Sequence, residues 1–290
     1  LDRYKVNVNL KGAIDKWTPL QFAVRKGHSE IVRILLEQEG IETDLVTDEG
    51  ENLLHLACMS NKEDIVNMLI NNPDLPTKFD LNKKTLNERT PLQIALTHEN
   101  CKMISILLNI DENTKRRTKK KSNKTQSDID PNILTNNGQS PLIIACEMRR
   151  MDIFNLLLKH TKIDVNIQLS TGKSALYVAC ELNLIEKLKI LLGFKEIKVN
   201  TSTKMGKTPL IVSCEKGNKQ VVEILIQHNN EIRSKNKKNK QQADNLINFN
   251  AKTNEGKTAL LISCEYSRMD IVEMLLTVDE IECDDATFDG

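Results

Sequence analysis

Three tripeptides in this 290-residue chain, Gly172-Lys173-Ser174, Gly206-Lys207-Thr208 and Gly256-Lys257-Thr258, have the residue types that close a phosphate-binding loop. In such a loop backbone amides wrap the phosphate and the lysine reaches its outer oxygens, which requires another glycine five residues before the Gly-Lys pair. Those positions hold Ile167, Thr201 and Ala251, so phosphate chemistry is not supported. The seven cysteines and five histidines contain no Cys-x-x-Cys and no paired Cys/His spacing, so a zinc site is not indicated. No Ser/His/Asp or Cys/His nucleophile set can be assembled from spacing. The chain is therefore expected to be non-catalytic, with no cofactor and no metal.

The tripeptides recur because the chain recurs. Taking the threonine of Thr208-Pro209-Leu210 as anchor, equivalents fall at Thr18, Asn52, Thr90, Ser140, Ser174, Thr208 and Thr258, spaced by 34, 38, 50, 34, 34 and 50 residues. Thr18-Pro19-Leu20, Thr90-Pro91-Leu92 and Ser140-Pro141-Leu142 keep the full pattern; Ala175 and Ala259 replace the proline. Repeat two is more drifted and reads Asn52-Leu53-Leu54-His55-Leu56-Ala57. Two residues upstream of the anchor stand Gly50, Gly138, Gly172, Gly206 and Gly256, where positive φ suits a tight turn. Lys16 and Glu88 depart from that series, so those two turns are not assured by glycine. Eight upstream stand Asp44, Asn82, Asn132, Asn166, Asn200, Asn250 and Asp284.

Each unit reads as a turn followed by two helices. The anchor hydroxyl caps a first helix and proline fits its first turn, where no donor is needed. Ala23, Ala57, Ala95, Ala145, Ala179, Ser213 and Ser263 keep that helix thin enough for neighbours to approach. Val221, Val222, Ile224, Leu225 and Ile226 illustrate the apolar face of the second helix. No unit can bury this face alone, so the units must stack.

A period near 34 with Thr-Pro-Leu ahead of a small-residue helix resembles the ankyrin repeat family along nearly the whole chain. The resemblance implies an all-α solenoid of stacked helix-turn-helix units with β-hairpin fingers. On that reading 1–290 is a single array, with repeats at about 7–40, 41–78, 79–112, 129–162, 163–196, 197–230 and 247–280 and a partial eighth at 281–290. The start at Leu1 and the stop at Gly290 read as cuts through a longer array. His28 and His55 stand where the family carries structural histidines, while His160 and His228 are expected to end second helices. The resemblance also implies a concave groove for protein partners, lined by finger tips and first helices. Its residues here would be Trp17, Glu147, Met148, Glu181, Leu182, Glu215, Lys216, Glu265 and Tyr266. If first helices stack about 8–10 Å apart, the four glutamates form an acidic stripe. Such a stripe is expected to take a basic, amphipathic partner segment.

Composition narrows the class further. Apolar residues are 39% and aromatics only 3%, as expected for a core of Leu, Ile and Val spread along a stack. No stretch approaches the roughly 18 apolar residues of a membrane span. Cys58, Cys146, Cys180, Cys214 and Cys264 share one register, six past the anchor, and unpaired thiols in such number suggest a reducing, cytoplasmic setting.

Net charge is only +1, but it is unevenly spread. Two inserts, 113–128 and 231–246, carry seven and five Lys/Arg. They read as basic solvated loops and as the alternative contact site, through Lys115, Arg116, Arg117, Lys119, Lys120, Lys121, Lys237, Lys238 and Lys240, for an acidic polymer or protein tail. Nucleic acid is not the favoured partner, although Lys115 to Lys121 also resembles a nuclear localisation run. The expected function is a protein-interaction scaffold. Its rivals are a structural part of a cytoskeletal assembly and a regulatory array fused to an enzyme domain.

Overall fold

The computed structural model describes residues 7–72, 75, 80–110, 129–239 and 245–282, with side chains of 236–239 excepted. The chain divides into two compact units, Leu1–Asn136 with Arg150–Ile163, and Asn137–Arg149 with Asp164–Gly290. Unit 1 holds α1 (Pro19–Lys26), α2 (Ser29–Leu36), α3 (Leu53–Ser60), α4 (Glu63–Asn71), α5 (Pro91–Thr97), α6 (Cys101–Leu107) and α8 (Met151–Leu158). Unit 2 holds α7 (Pro141–Glu147), α9 (Ala175–Glu181), α10 (Ile185–Leu192), α11 (Pro209–Lys216), α12 (Lys219–Asn239), α13 (Ala259–Glu265) and α14 (Met269–Leu276).

Within each unit the helices form two rows. In unit 1 the first helices α1, α3 and α5 pack in sequence, and α2, α4, α6 and α8 form the second row. In unit 2 the rows are α7, α9, α11, α13 and α10, α12, α14. Ala57, Ala95, Ala145, Ala179, Ser213 and Ser263 are fully buried on the first helices, as close helix approach requires. The second helices supply the larger side chains, including Ile65, Leu69, Leu188, Leu191, Val221, Val222 and Leu225.

Every first helix starts on its anchor. Thr18, Asn52, Thr90, Ser140, Ser174, Thr208 and Thr258 each accept the backbone N–H three residues on. In unit 1 the residue at that third position answers with its own side chain. Gln21, His55 and Gln93 accept the anchor N–H and also reach the carbonyls of Leu45, Arg89 and Ile133 in the next repeat.

The fingers are hydrogen-bonded turns rather than long hairpins. At the tip of repeat six, Thr203 N–H donates to Lys207 O and Gly206 N–H to Thr203 O, and the same pair recurs at Thr47, Thr85, Leu169 and Thr253. Strand pairing among the described residues is confined to one antiparallel bridge, Gln168 to Ser174, because the finger arms are too short for a ladder. Lys16 and Glu88 make the turn without glycine, at φ 52° and 57°.

The asparagines eight before the anchor tie one repeat to the next. Asn166, Asn200 and Asn250 each donate Nδ2–H to a carbonyl of the following repeat, at Glu196, Leu246 and Glu280. Their Oδ1 atoms accept N–H from Lys198, Asn248 and Glu282. Both halves of each amide are used, which explains the residue type at this register.

Two features depart from the expected repeat. The insert at 231–246 is not wholly a loop: α12 continues through it to Asn239, a helix of 21 residues where its counterparts α10 and α14 have 8. Its return is fastened by Asn229, buried, whose Oδ1 accepts Ile247 N–H at 2.9 Å. Lys187, in the middle of unit 2, is also unexpected. Its ammonium is buried and donates to the carbonyls of Ala145, Cys146 and Met148 at the end of α7. Ten residues past the anchor Asn218 and Arg268 perform this task for α9 and α11, but repeat five has Leu184 there, and Lys187 substitutes from one helical turn further on.

Candidate protein-interaction surface

The first helices and fingers of unit 2 present one repeated arrangement. The lysine before each anchor reaches the glutamate seven after it: Lys173 to Glu181 at 2.7 Å, Lys207 to Glu215 at 2.6 Å and Lys257 to Glu265 at 2.8 Å. In repeat four Gln139 takes the lysine's place and reaches Glu147 at 3.4 Å. The phosphate-loop mimic thus has a structural explanation, since the lysine braces a finger arm against the end of its own first helix. Lys257 is held charged, its pKa raised first by the Glu265 hydrogen bond. Lys173 also lies over the Tyr177 ring, 5.5 Å from its centroid.

These rungs change the electrostatics expected from sequence. Glu181, Glu215 and Glu265 do not form a bare acidic stripe; each is already paired, so the strip alternates in sign. The reason escapes a residue-by-residue reading because partners eight apart lie on different elements, joined only by the turn into the helix. In unit 1 the same pairs of positions hold Trp17 and Arg25, Glu51 and Met59, and Arg89 and Thr97, and no such ladder exists.

Beside the rungs, Leu182 is 50% exposed and Tyr266 47%, large apolar side chains one residue past the glutamate. Met148 at the same register is half-buried, and Lys216, which fills it in repeat six, is exposed in the last turn of α11. Trp17, in unit 1, is half-buried with its ring 5.3 Å from that of Phe22, so one face is used within its own repeat. Lys115, Arg116, Arg117, Lys119, Lys120, Lys121 and Lys240 lie outside the described residues, as do the side chains of Lys237 and Lys238, whose backbone is helical.

Most of the remaining reactive side chains are buried. Burial pushes the thiols of Cys146, Cys180 and Cys214 up to about 12, and that of Cys58 higher still, so none is a thiolate nucleophile near neutrality. Cys264, at the same register, is exposed. Cys101 donates from Sγ to Asp152, whose carboxyl is held well below the usual range chiefly by Arg150. Of the two histidines expected to end second helices, His160 does so and His228 does not. His160 is buried just past α8, where its Nδ1 accepts Lys162 N–H, and His228 sits inside α12 because that helix continues. Among the described residues no group of three His, Cys, Asp or Glu could hold a metal ion, and no helix is long and apolar enough to cross a membrane.

His55 gives a measurable pH dependence. Burial lowers its pKa from 6.5 to about 4, while the unfolded chain protonates near 6.5. Between these values the unfolded state binds more protons, so stability falls as pH drops from about 6.5 to 4 and is unaffected by this group above 7. The loss should reach about 2–3 kcal/mol at pH 4. Urea titrations of His55→Gln, which installs the residue found at Gln21 and Gln93, should show an acid loss smaller by that amount; parallel pH profiles for the two proteins would remove the assignment.

Comparison with known proteins agrees with this geometry. The family model for ankyrin repeats, in three copies, matches residues 1–85, 41–118, 74–168, 120–202, 162–239 and 194–287. The chain belongs to the ankyrin repeat family. A protein of Borreliella burgdorferi named as an ankyrin repeat protein is 31% identical over 113 residues, 38% of this chain and 49% of its own length. A Fowlpox virus protein, likewise named for ankyrin repeats, is 38% identical over 89 residues, 31% of this chain and 19% of its own. The chain thus spans about half or less of these relatives.

Proposed function

We propose that this protein is a non-catalytic interaction module that holds a partner segment along the first helices and fingers of unit 2. Ankyrin repeats are in general protein-interaction modules, and the observation supporting this surface is the exposure of Leu182 and Tyr266 beside a ladder of fixed ion pairs. The partner segment is amphipathic and basic. Its apolar side chains cover Leu182, Tyr266 and Met148, and its cations compete with Lys173, Lys207 and Lys257 for the carboxylates. Exchanging one half-buried ion pair for another of the same kind gains little, about 0–1 kcal/mol, because the charge lost equals the charge gained. Affinity therefore comes mainly from apolar contact and falls only gently as salt rises. The buried thiols, none of them in a disulfide, favour a reducing compartment, the cytoplasm, and localisation of a variant lacking Lys115 to Lys121 tests whether that run directs nuclear entry.

A photo-crosslinking residue placed at 182 or 266 should capture the partner in cells, while one at exposed Glu223 on the second-helix row should not. With the captured segment, Leu182→Ala combined with Tyr266→Ala should weaken binding by about 10–100-fold, as loss of a central apolar anchor does. Changing Glu147, Glu181, Glu215 and Glu265 together to Gln should weaken it less than about threefold, because the last three carboxylates already have lysine partners that the incoming cations must displace. Strong loss in the glutamate variant with none in the apolar one would reverse this ranking. Equal capture from 223 would remove the surface.

A further inference from the structure

The repeat leaves a concavity between a second helix, its following turn and the next second helix, as at α2 and α4, and the overrun of α12 extends one wall of the equivalent concavity in unit 2. A cavity of about 650 Å³ lies between α10, the turn that follows it and α12. Its apolar lining includes Leu192, Phe194, Ile224 and Ile232, and among the described residues its charged lining is Lys189, Lys195 and Lys235 against the single carboxylate of Glu231. All three lysines are exposed. Glu231 is already hydrogen-bonded by Gln227 Nε2 at 3.5 Å. The turn is fixed from the far side by the returning chain, where Asn245 Nδ2 donates to Lys195 O at 2.6 Å. His228 also lines the cavity, and its Nε2 is buried with no hydrogen-bond partner among the described residues. Burial lowers its pKa.

We propose that this cavity is a second docking site, separate from the first-helix surface, which takes an acidic peptide segment carrying one large apolar side chain. The apolar lining needs an apolar group, and three ammonium groups facing one engaged carboxylate need added negative charge. Those ammonium groups come from three different places, α10, its following turn and the overrun of α12, so the carboxylates must be spaced along a chain rather than gathered on one small anion. The insert then has a purpose beyond lengthening the repeat: it adds Ile232 and Lys235 to one wall of a site whose charge preference is opposite to that of the first-helix surface. One array would hold a basic segment on one row of helices and an acidic segment on the other.

The test uses the full chain and a dye-labelled, capped heptapeptide with phenylalanine at its centre and three glutamates on each side. Fluorescence anisotropy should show saturable binding, and the His228 ring resonance should shift during the same titration. Reversing charge with Lys189→Glu, Lys195→Glu and Lys235→Glu together should weaken binding at least tenfold while leaving the melting temperature unchanged, since these side chains are exposed. A peptide with alanine for the phenylalanine should lose at least tenfold. Leu182→Ala with Tyr266→Ala should leave this binding intact, which separates failure of this site from failure of the first-helix surface. The proposal is overturned if a peptide with lysines for glutamates binds as well, if the charge-reversed protein binds like the parent, or if vesicles rich in anionic lipid bind the protein while the peptide does not.

Discussion

Leu225→Ala is expected to lower stability by about 2–5 kcal/mol, the range for a large-to-small change at a fully packed site. Leu225 is 1% exposed on α12, one turn on from the equally buried Val221 and Val222, and α12 packs against α10, α11 and α14. A cavity at this point is felt by three helices at once, and in a stacked array there is no larger core to relax into it. Urea unfolding followed by far-ultraviolet circular dichroism gives the midpoint shift. Leu225→Met, which conserves volume, should lose less than about 1.5 kcal/mol. If the alanine variant unfolds at the parent's midpoint, or methionine costs as much as alanine, the loss does not come from the cavity.

Gly206→Val should cost about 2–5 kcal/mol, combining left-handed backbone strain with overpacking. Gly206 has φ 75°, and a Cβ there would lie 2.8 Å from Asn254 N and 2.9 Å from Thr253 Cα, both in the next finger. That finger is held close by Asn254 N–H donating to Met205 O at 3.0 Å and by Asn254 Nδ2 donating to Lys204 O at 2.8 Å. The neighbour therefore cannot yield without losing both bonds. Gly40, with φ 76° and nothing near its missing Cβ, is the internal control, because Gly40→Ala adds strain without a clash and should cost only about 1–2 kcal/mol. Equal losses at the two positions in chemical denaturation would show that finger packing contributes nothing.

Local signals were legible wherever one residue type answers one local need. The anchors Thr18 to Thr258 cap their helices because a hydroxyl or amide beside free N–H groups needs no distant partner. The small residues of the first helices are buried because the row leaves no space for larger ones. Departures at Lys16 and Glu88 did not cost the turn, since hydrogen bonds around it hold a left-handed residue in place. The asparagine series at Asn166, Asn200 and Asn250 was visible as a register, yet its use was not, because each amide's partners lie 30 to 48 residues away.

The sequence by itself determined the repeat, its helix pair, the caps, and the register of every residue on the first-helix surface, because these follow from periodicity and nearest-neighbour chemistry. Tertiary structure decided what those registered residues do. It paired Glu181, Glu215 and Glu265 with lysines across a turn, which removed the bare acidic stripe. It carried α12 through half of a segment whose composition suggested only a solvated loop, where Asn229 fastens the return at Ile247. It also brought Lys187 beneath the end of α7 in place of a donor missing at Leu184. The rungs form within one repeat but across a turn that brings a finger arm back to its own helix, while the other two interactions join elements separated along the chain. Composition carries no record of which donor will meet which acceptor once the chain has turned and the repeats have stacked.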